Sequence, residues 1–126
     1  MANNSIVLVT KDLFFVPTFR SAAEKLGAAV VVALSVDSDK LTSLSADEVA
    51  AWIIDLSSVS VAAIPSLVET LDRQFPQAHK IAFGPHVQSE RLAAAQRAGC
   101  QQVLSRGQIS SQIDRLMGQW LIAPGV

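Results

Sequence analysis

The sequence predicts an α/β fold in which five parallel strands form one doubly wound sheet with helices on both faces. Two patterns lead to this prediction. Short apolar runs rich in β-branched residues recur along the 126 residues, and segments with apolar residues at helical spacing separate them. Continuous apolar runs are typical of parallel strands that are covered on both faces. We expect residues 1–126 to form a single domain, because a chain of this length can bury one core.

Five segments have the character of strands. The first two are β-branched runs that we expect to be buried on both faces. The third begins at Trp52 and ends in a carboxylate, Asp55, which is followed by a serine-rich turn. The predicted strands are residues 5–10, 28–34, 52–55, 80–83 and 102–104.

Five further segments have helical character. Pro17 and Pro65 suit first turns, where the missing N–H is not needed, and Gly27 and Gly99 suit helix C-termini. Residues 45–48 match a capping box. The predicted helices are residues 16–26, a short helix within 37–45, 64–75, 88–98 and 108–121, and a tail follows at 123–126.

Strands that alternate with helices in this way form parallel sheets with right-handed crossovers. For a chain of this size we expect the flavodoxin-like strand order 2-1-3-4-5. Ligands bind such sheets beyond the carboxyl ends of the strands, where the strand order reverses. The strand ends that meet at this edge carry Thr10, Lys11, Asp55, Gly84 and Arg106.

The composition argues against several classes of function. No apolar run reaches the roughly 18–20 residues of a membrane span, and the N-terminus lacks the basic segment of a signal peptide. A net charge of −1 without a basic cluster gives no support to direct nucleic-acid binding. The single Cys100 rules out an internal disulfide and a multi-cysteine zinc site, and it fits a reducing cytoplasm.

Asp55 ends the third strand, and the alanine-rich segment 93–100 precedes the fifth. With these features and its five βα units, the chain resembles the receiver domains of bacterial response regulators, which have a CheY-like fold. Asp55 falls at the phospho-acceptor position of that family. The resemblance covers nearly the whole chain, and it implies a signalling module that is not an enzyme and that binds a protein partner or a second copy of itself.

The departures from the receiver pattern surround Asp55. Receivers hold Mg²⁺ with an acidic pair after the first strand, where this chain has Thr10 and Lys11, and Asp12 lies one place late. Gly84 replaces the family's Thr or Ser after the fourth strand, and Arg106 takes the place of its Lys. Mg²⁺ prefers octahedral oxygen coordination and phosphoryl transfer needs its charge. We therefore expect a pseudo-receiver that binds no metal or other cofactor. Mg²⁺ would bind only in the alternative case, in which Asp55 still accepts a phosphoryl group.

Three interpretations of Asp55 are open from the sequence. The sharpest is that Lys11, together with Arg106, pairs with Asp55, takes the place of the metal and keeps the carboxylate ionised. The second is that Asp55 caps the turn at the end of the strand. The third is phosphorylation, with Asp12 and solvent completing a Mg²⁺ site. In the first case the domain has one fixed conformation.

Several other residues have a structural interpretation. His79 and His86 lack a second ligand at helical spacing, and Cys100 is expected to be a buried small apolar residue. Ser57 and Ser58 are expected to form a turn, since no base lies in motif spacing.

Aromatic residues and the last two helices suggest interaction surfaces. We expect one of Phe14 and Phe15 to face the core and the other to lie exposed at the mouth of the site, and we expect Trp120 to be in the core. Receivers commonly bind partners through the face of the fourth helix, fifth strand and fifth helix. On this chain the resemblance places Arg91, Gln101, Gln112 and Arg115 on that face.

Three functions follow from these observations. We favour a non-catalytic receiver-like module that acts through protein–protein interaction. The main alternative is a phospho-accepting receiver that uses Asp55. A small-molecule site is the third, although the first turn, residues 10–14, has no glycine with which to cradle a phosphate.

Overall fold

The fold of residues 4–122, apart from the side chain of Ser58, is described by a computed structural model. Five parallel strands form one sheet in the order β2-β1-β3-β4-β5. The strands are β1 (Ser5–Val9), β2 (Ala29–Ala33), β3 (Val49–Asp55), β4 (His79–Gly84) and β5 (Gln102–Ser105). The predicted α/β class and the predicted strand order are thereby confirmed.

Five α-helices connect or follow the strands. They are α1 (Val16–Glu24), α2 (Asp39–Thr42), α3 (Ile64–Gln74), α4 (Ser89–Ala98) and α5 (Arg106–Trp120). Pro17 and Pro65 lie in the first turns of α1 and α3, as predicted. Gly99 follows α4 with φ of +116°, a conformation that favours glycine.

Each face of the sheet has its own apolar core. On the side of α1 and α5, Phe19, Phe83 and Trp120 are almost fully buried. On the side of α2, α3 and α4, Trp52 and Phe75 are fully buried. This arrangement places β1 and β3 in the interior of the sheet, so that their carboxyl ends are held by packing on both faces.

The structure corrects three boundaries. β3 begins at Val49 rather than at residue 52, because Val49 and Ala51 continue the pairing with β1. α5 begins at Arg106 rather than at residue 108, because Ser105 and Gln108 form a capping box at its start. α1 ends at Glu24, two residues before its predicted end.

The prediction that β2 is buried on both faces is wrong. β2 lies at the edge of the sheet, and only Ala33 of its five residues is buried. The predicted tail at 123–126 lies outside the described residues. Within residues 4–122, no helix is long and apolar enough to cross a membrane.

Candidate functional site at the carboxyl edge of the sheet

Asp55 lies at the point where the strand order reverses, at the carboxyl end of β3. Its side chain is buried, with only 2% of its surface exposed. One carboxylate oxygen, Oδ1, accepts hydrogen bonds from Ser57 N at 3.0 Å and from Ser57 Oγ at 2.8 Å. The other, Oδ2, accepts one from Thr10 Oγ1 at 2.7 Å. Asp55 therefore caps the turn that follows β3 and also binds the end of β1.

Thr10 joins the two strand ends through a single hydroxyl proton. Its Oγ1 lies 2.7 Å from Asp55 Oδ2 and 2.9 Å from Asp12 O, and it accepts from Asp12 N at 3.0 Å. A hydroxyl has one proton to donate. We assign this proton to the carboxylate, because a hydrogen bond to a charged acceptor is stronger than one to a carbonyl.

The structure does not show the expected ion pair between Asp55 and the two neighbouring cations. Within residues 4–122, Asp55 takes part in no salt bridge, and the salt bridges present join Lys25 to Asp114, Lys80 to Asp72 and Arg106 to Asp12. Lys11 is exposed to solvent. The hydrogen bonds to this carboxylate thus come from hydroxyl and amide donors, rather than from ammonium or guanidinium groups.

Arg106 is held on the other side of the edge by an aromatic ring and a carboxylate. Its guanidinium carbon lies 5.7 Å from the centre of the Phe15 ring, within the range of cation–π attraction. Its Nη2 lies 3.8 Å from Asp12 Oδ2. Its Nε is buried and has no hydrogen-bond partner within the described structure.

Asp12 is engaged away from Asp55. Its Oδ1 accepts a hydrogen bond from Phe14 N at 3.0 Å and caps the short 3-10 turn Leu13–Phe15. Its Oδ2 is the partner of Arg106. In this arrangement both of its oxygens already have partners.

Gly84 leaves no polar side chain at the end of β4. It is buried, and a Cβ atom placed on it would lie 3.4 Å from Leu56 Cβ and 4.0 Å from Gln88 Oε1. Gln88 Oε1 is buried without a hydrogen-bond partner among the described residues. The place of a Thr or Ser hydroxyl is therefore bordered by two apolar side chains, Leu56 and Leu92, and by the amide oxygen of Gln88.

These residues do not fit a Mg²⁺ ion. Mg²⁺ needs oxygen ligands in near-octahedral geometry, usually including one or two carboxylates. Asp55 is the one carboxylate at this position, beside the hydroxyl of Thr10 and the cation of Lys11. Within residues 4–122, no group of three or more His, Cys, Asp or Glu side chains lies close enough to hold a metal ion.

A pocket that the sequence analysis missed opens beside Asp55. Its volume is about 370 Å³, and it lies between the ends of β1 and β3, the segment after β2 and the start of α3. Thr10, Lys11 and Asp55 line it, together with residues absent from our predicted site. These are Val9, Leu34, Ser35, Val59, Ser60, Ala63 and Leu67. No local sequence pattern indicates this pocket, because its lining residues come from segments that are far apart in the chain.

The predicted roles of the aromatic residues agree with the structure. Phe15 is buried and packs edge-on against Phe83, with ring centres 5.5 Å apart. Phe14 is 74% exposed and rests edge-on against Phe15. Trp120 is buried and donates a hydrogen bond to Gln102 Oε1 at 2.6 Å.

Residues with a predicted structural role also lie where expected. Cys100 is buried, and this burial raises the pKa of its thiol to about 12. His79 Nε2 lies 2.8 Å from Ile122 O, and His86 is exposed. Ser57 forms the turn after Asp55.

All four predicted partner residues make contacts within the chain, and two of them bind backbone atoms of other segments. Arg91 Nε donates a hydrogen bond to Val59 O at 2.6 Å and ties α4 to the segment before α3. Gln101 Oε1 accepts from Lys80 N at 3.1 Å. Gln112 and Arg115 hydrogen-bond to each other along α5.

Solved structures with a similar fold include several receivers. A CheY-like protein (tadZ) from Pseudomonas aeruginosa PAO1 gives a TM-score of 0.74 at 22% identity, covering 93% of this chain and 98% of that one. A putative pilus assembly-related protein from Burkholderia pseudomallei K96243 gives a TM-score of 0.69 at 17% identity, covering 96% of this chain and 92% of that one. A third structure is the receiver domain of a sensor histidine kinase from P. aeruginosa PAO1, with a magnesium ion coordinated in its active site cleft. It gives a TM-score of 0.70 at 14% identity, covering 94% of this chain and 97% of that one.

No family model and no curated protein sequence matches this chain. At these identities the structural likeness shows the fold. The chain therefore has the CheY-like fold of response-regulator receiver domains.

Proposed function

We propose that this chain is a pseudo-receiver, a non-catalytic signalling module that acts by binding another protein and whose Asp55 is not phosphorylated. The hydrogen bond from Thr10 to Asp55 carries this proposal. Where receivers have a carboxylate that binds Mg²⁺, this chain has a hydroxyl that binds the acceptor carboxylate directly. Without the metal, the charge that develops on a transferred phosphoryl group is not neutralised.

The position of Asp12 argues against the phospho-accepting alternative. That alternative requires Asp12 to complete a Mg²⁺ site with Asp55. Its two oxygens instead cap Phe14 N and face Arg106. A shift of Asp12 towards Asp55 would break both contacts.

A surface groove supports the interaction role. It lies between α4 and β5 and continues to the start of α5, with a volume of about 330 Å³. Leu92, Val103 and Leu104 line it and are half-buried. β5 is an edge strand, so this face can accept a partner protein or a second copy of the chain. Gln112 and Arg115 are the predicted contact residues on α5, and Arg91 and Gln101 would contribute only if they release their present partners.

Two neighbours suggest where such a module could act. One is a CheY-like protein named tadZ, and another is a putative pilus assembly-related protein. By analogy we propose a protein partner in an assembly or signalling system, in the cytoplasm that the single cysteine suggests.

Beryllofluoride with Mg²⁺ tests the loss of phosphorylation. It mimics a phosphoryl group on an aspartate, and amide NMR spectra would report its binding. We expect spectra that do not change, in the wild type as in the isosteric control Asp55→Asn. Shifts around Asp55 that occur in the wild type and are absent in Asp55→Asn would contradict the proposal and restore the phospho-accepting receiver.

Sedimentation measurements test the homodimer. If two copies associate through α5, Arg115→Glu should weaken association, because it reverses the charge that this helix presents to the contact. Arg73→Glu is the matched control, since Arg73 is an exposed arginine in the last turn of α3. A wild-type chain that stays monomeric at all concentrations would contradict the homodimer and assign the groove to a different protein.

A further inference from the structure

The pocket beside Asp55 has an acidic floor, a basic residue at its rim and an apolar wall. Asp55 and Thr10 line it from the strand ends, and the exposed Lys11 follows Thr10. Leu34, Val59 and Leu67 supply apolar surface. Its volume of about 370 Å³ lies within the range of small-molecule pockets, roughly 300–1,000 Å³.

The pocket is lined by the segment between β2 and α2, and no residue of α2 covers it. α2 has one turn, Asp39–Thr42, and buries only Leu41. Leu34, directly after β2, lines the pocket and is 61% exposed. An exposed leucine beside a buried acid is an arrangement in which a ligand can bury apolar surface and satisfy a charge at the same time.

Asp55 is a buried charge that lacks a cationic partner within residues 4–122. Its side chain is only 2% exposed, and the salt bridges of these residues do not include it. Buried charges in proteins are normally paired. Each carboxylate oxygen can accept about two hydrogen bonds, and Oδ2 accepts only that of Thr10. One acceptor position on Asp55 therefore remains for a cationic donor.

A metal ion does not meet this need, because no second carboxylate converges on the pocket. An organic ammonium group does, since it requires only hydrogen-bond acceptors. The ammonium of Lys11 at the rim favours a ligand that also carries a carboxylate. The wall of Leu34, Val59 and Leu67 favours an aliphatic side chain beside the two charges.

We propose that this pocket binds a small aliphatic zwitterion, an α-amino acid of the leucine type. Its ammonium group hydrogen-bonds to Asp55, its carboxylate pairs with Lys11, and its side chain packs on the apolar wall. The inference rests on the proposed function, because an aspartate that is not phosphorylated is free to bind a cation. Ligand binding would then replace phosphorylation as the signal at this edge of the fold.

The test is an NMR titration with three ligands, in EDTA and without a phosphodonor. Leucine carries both charges, 3-methylbutylamine carries only the ammonium group, and 4-methylpentanoate carries only the carboxylate. We expect saturable shifts of residues around the pocket, with leucine binding most tightly. Loss of a charge-assisted hydrogen bond is expected to weaken binding about ten-fold or more.

Variants show which residue binds each charge of the ligand. Asp55→Asn should weaken the binding of leucine and of the amine. Lys11→Ala should weaken the binding of leucine and of the carboxylate but not that of the amine. Ala63→Leu fills the pocket and should weaken all three, and it provides the test if Asp55→Asn does not fold. Lys40→Ala, which removes an exposed lysine that does not line the pocket, should leave all three affinities unchanged.

Two results would overturn the inference. One is the absence of saturable shifts with leucine up to millimolar concentration. The other is equal leucine affinity in the wild type and in Ala63→Leu. Neither result affects the proposed function, which the beryllofluoride experiment tests separately. Conversely, beryllofluoride binding to Asp55 would contradict the proposed function, and the titration would still decide separately whether the pocket binds leucine.

Discussion

Thr10 Oγ1 lies 2.7 Å from Asp55 Oδ2, and this hydrogen bond joins the ends of β1 and β3 where the strand order reverses. Both side chains are almost fully buried. A buried carboxylate that loses a donor keeps its desolvation penalty without compensation. The Thr10 hydroxyl is therefore a structural element of the site.

Thr10→Val should lower the free energy of unfolding by about 1–3 kcal/mol, because it leaves Asp55 Oδ2 without its donor. Urea denaturation measures this change. Thr70→Val is the matched control, since the Thr70 hydroxyl bonds only to Ser66 O of its own helix. We expect the control to change stability by less than about 0.5 kcal/mol. Similar losses of stability in both variants would show that the Thr10–Asp55 hydrogen bond contributes no more to stability than the bond of Thr70.

Restoring the acidic pair should restore metal binding. In the double variant Thr10→Asp with Lys11→Asp, two new carboxylates join Asp55, and Mg²⁺ relieves their repulsion. We expect the melting temperature of this variant to rise with Mg²⁺, by an amount equivalent to about 2.7 kcal/mol at a hundred times Kd. The wild type should show no such rise. An equal rise in the wild type would mean that its site already binds Mg²⁺.

The thiol of Cys100 should resist alkylation in the folded protein. Burial raises its pKa to about 12, and the neighbouring Lys80 lowers it only in part, so almost no thiolate is present at about pH 8. Iodoacetamide labelling followed by mass spectrometry measures the rate, and the denatured chain is the control. Comparable rates in the folded and denatured chains would contradict the burial.

The same thiol makes a contribution to the pH dependence of stability. The folded pKa of about 12 lies above 9.0, the ordinary pKa of a thiol. The thiol is therefore neutral in both states below pH 9, and its contribution to stability is fully present there. Above pH 9 the unfolded chain ionises first, so this contribution is lost as the pH rises towards 12. Cys100→Ala should lack this component in alkaline unfolding measurements.

Glu48 should produce a component of acid sensitivity. Its carboxylate accepts a hydrogen bond from Ser45 N at 2.7 Å, and this contact lowers the pKa of Glu48 below 4.5. A lowered folded pKa means that the stabilisation is present above the unfolded pKa and is lost as the pH falls through the folded one. Urea denaturation of Glu48→Gln should therefore show a shallower loss of stability below about pH 4.5. Parallel curves for the two proteins would refute this role.

Substitution by alanine should change the stability in opposite directions at two glycines. Gly99 has a φ of +116°, so Gly99→Ala introduces backbone strain and should destabilise by about 1 kcal/mol or more. Gly118 lies within α5, and an added Cβ would meet no atom within 4 Å. Gly118→Ala should therefore stabilise by about 0.5–1 kcal/mol. Thermal unfolding measures both, and effects of the same sign would contradict this reasoning.

The fold and the position of Asp55 could be predicted from the sequence because they depend on local patterns. Apolar runs, helical spacing and a carboxylate at a strand end predict five βα units and the edge at which Asp55 lies. The expectation that one of Phe14 and Phe15 faces the core was also met, while only the structure shows that this residue is Phe15. These features need only the chemistry of neighbouring residues.

The partners of each side chain could not be predicted, because they depend on distances between residues far apart in sequence. The pattern of charges suggested that Lys11 and Arg106 would pair with Asp55. Packing instead brings the hydroxyl of Thr10 to the carboxylate and places Arg106 over Phe15 and beside Asp12. The contacts of Arg91 and Gln101 with distant backbone atoms arise in the same way.

The sequence by itself thus determined the five βα units and the position of Asp55 at the end of β3, since the residues within each element specify these through periodicity and turn chemistry. Only the tertiary structure decided that Asp55 is buried without a cationic partner among residues 4–122, that Asp12 is engaged elsewhere and that a pocket opens beside Asp55. Those properties depend on how the elements pack, because burial, charge pairing and empty space are relations between elements.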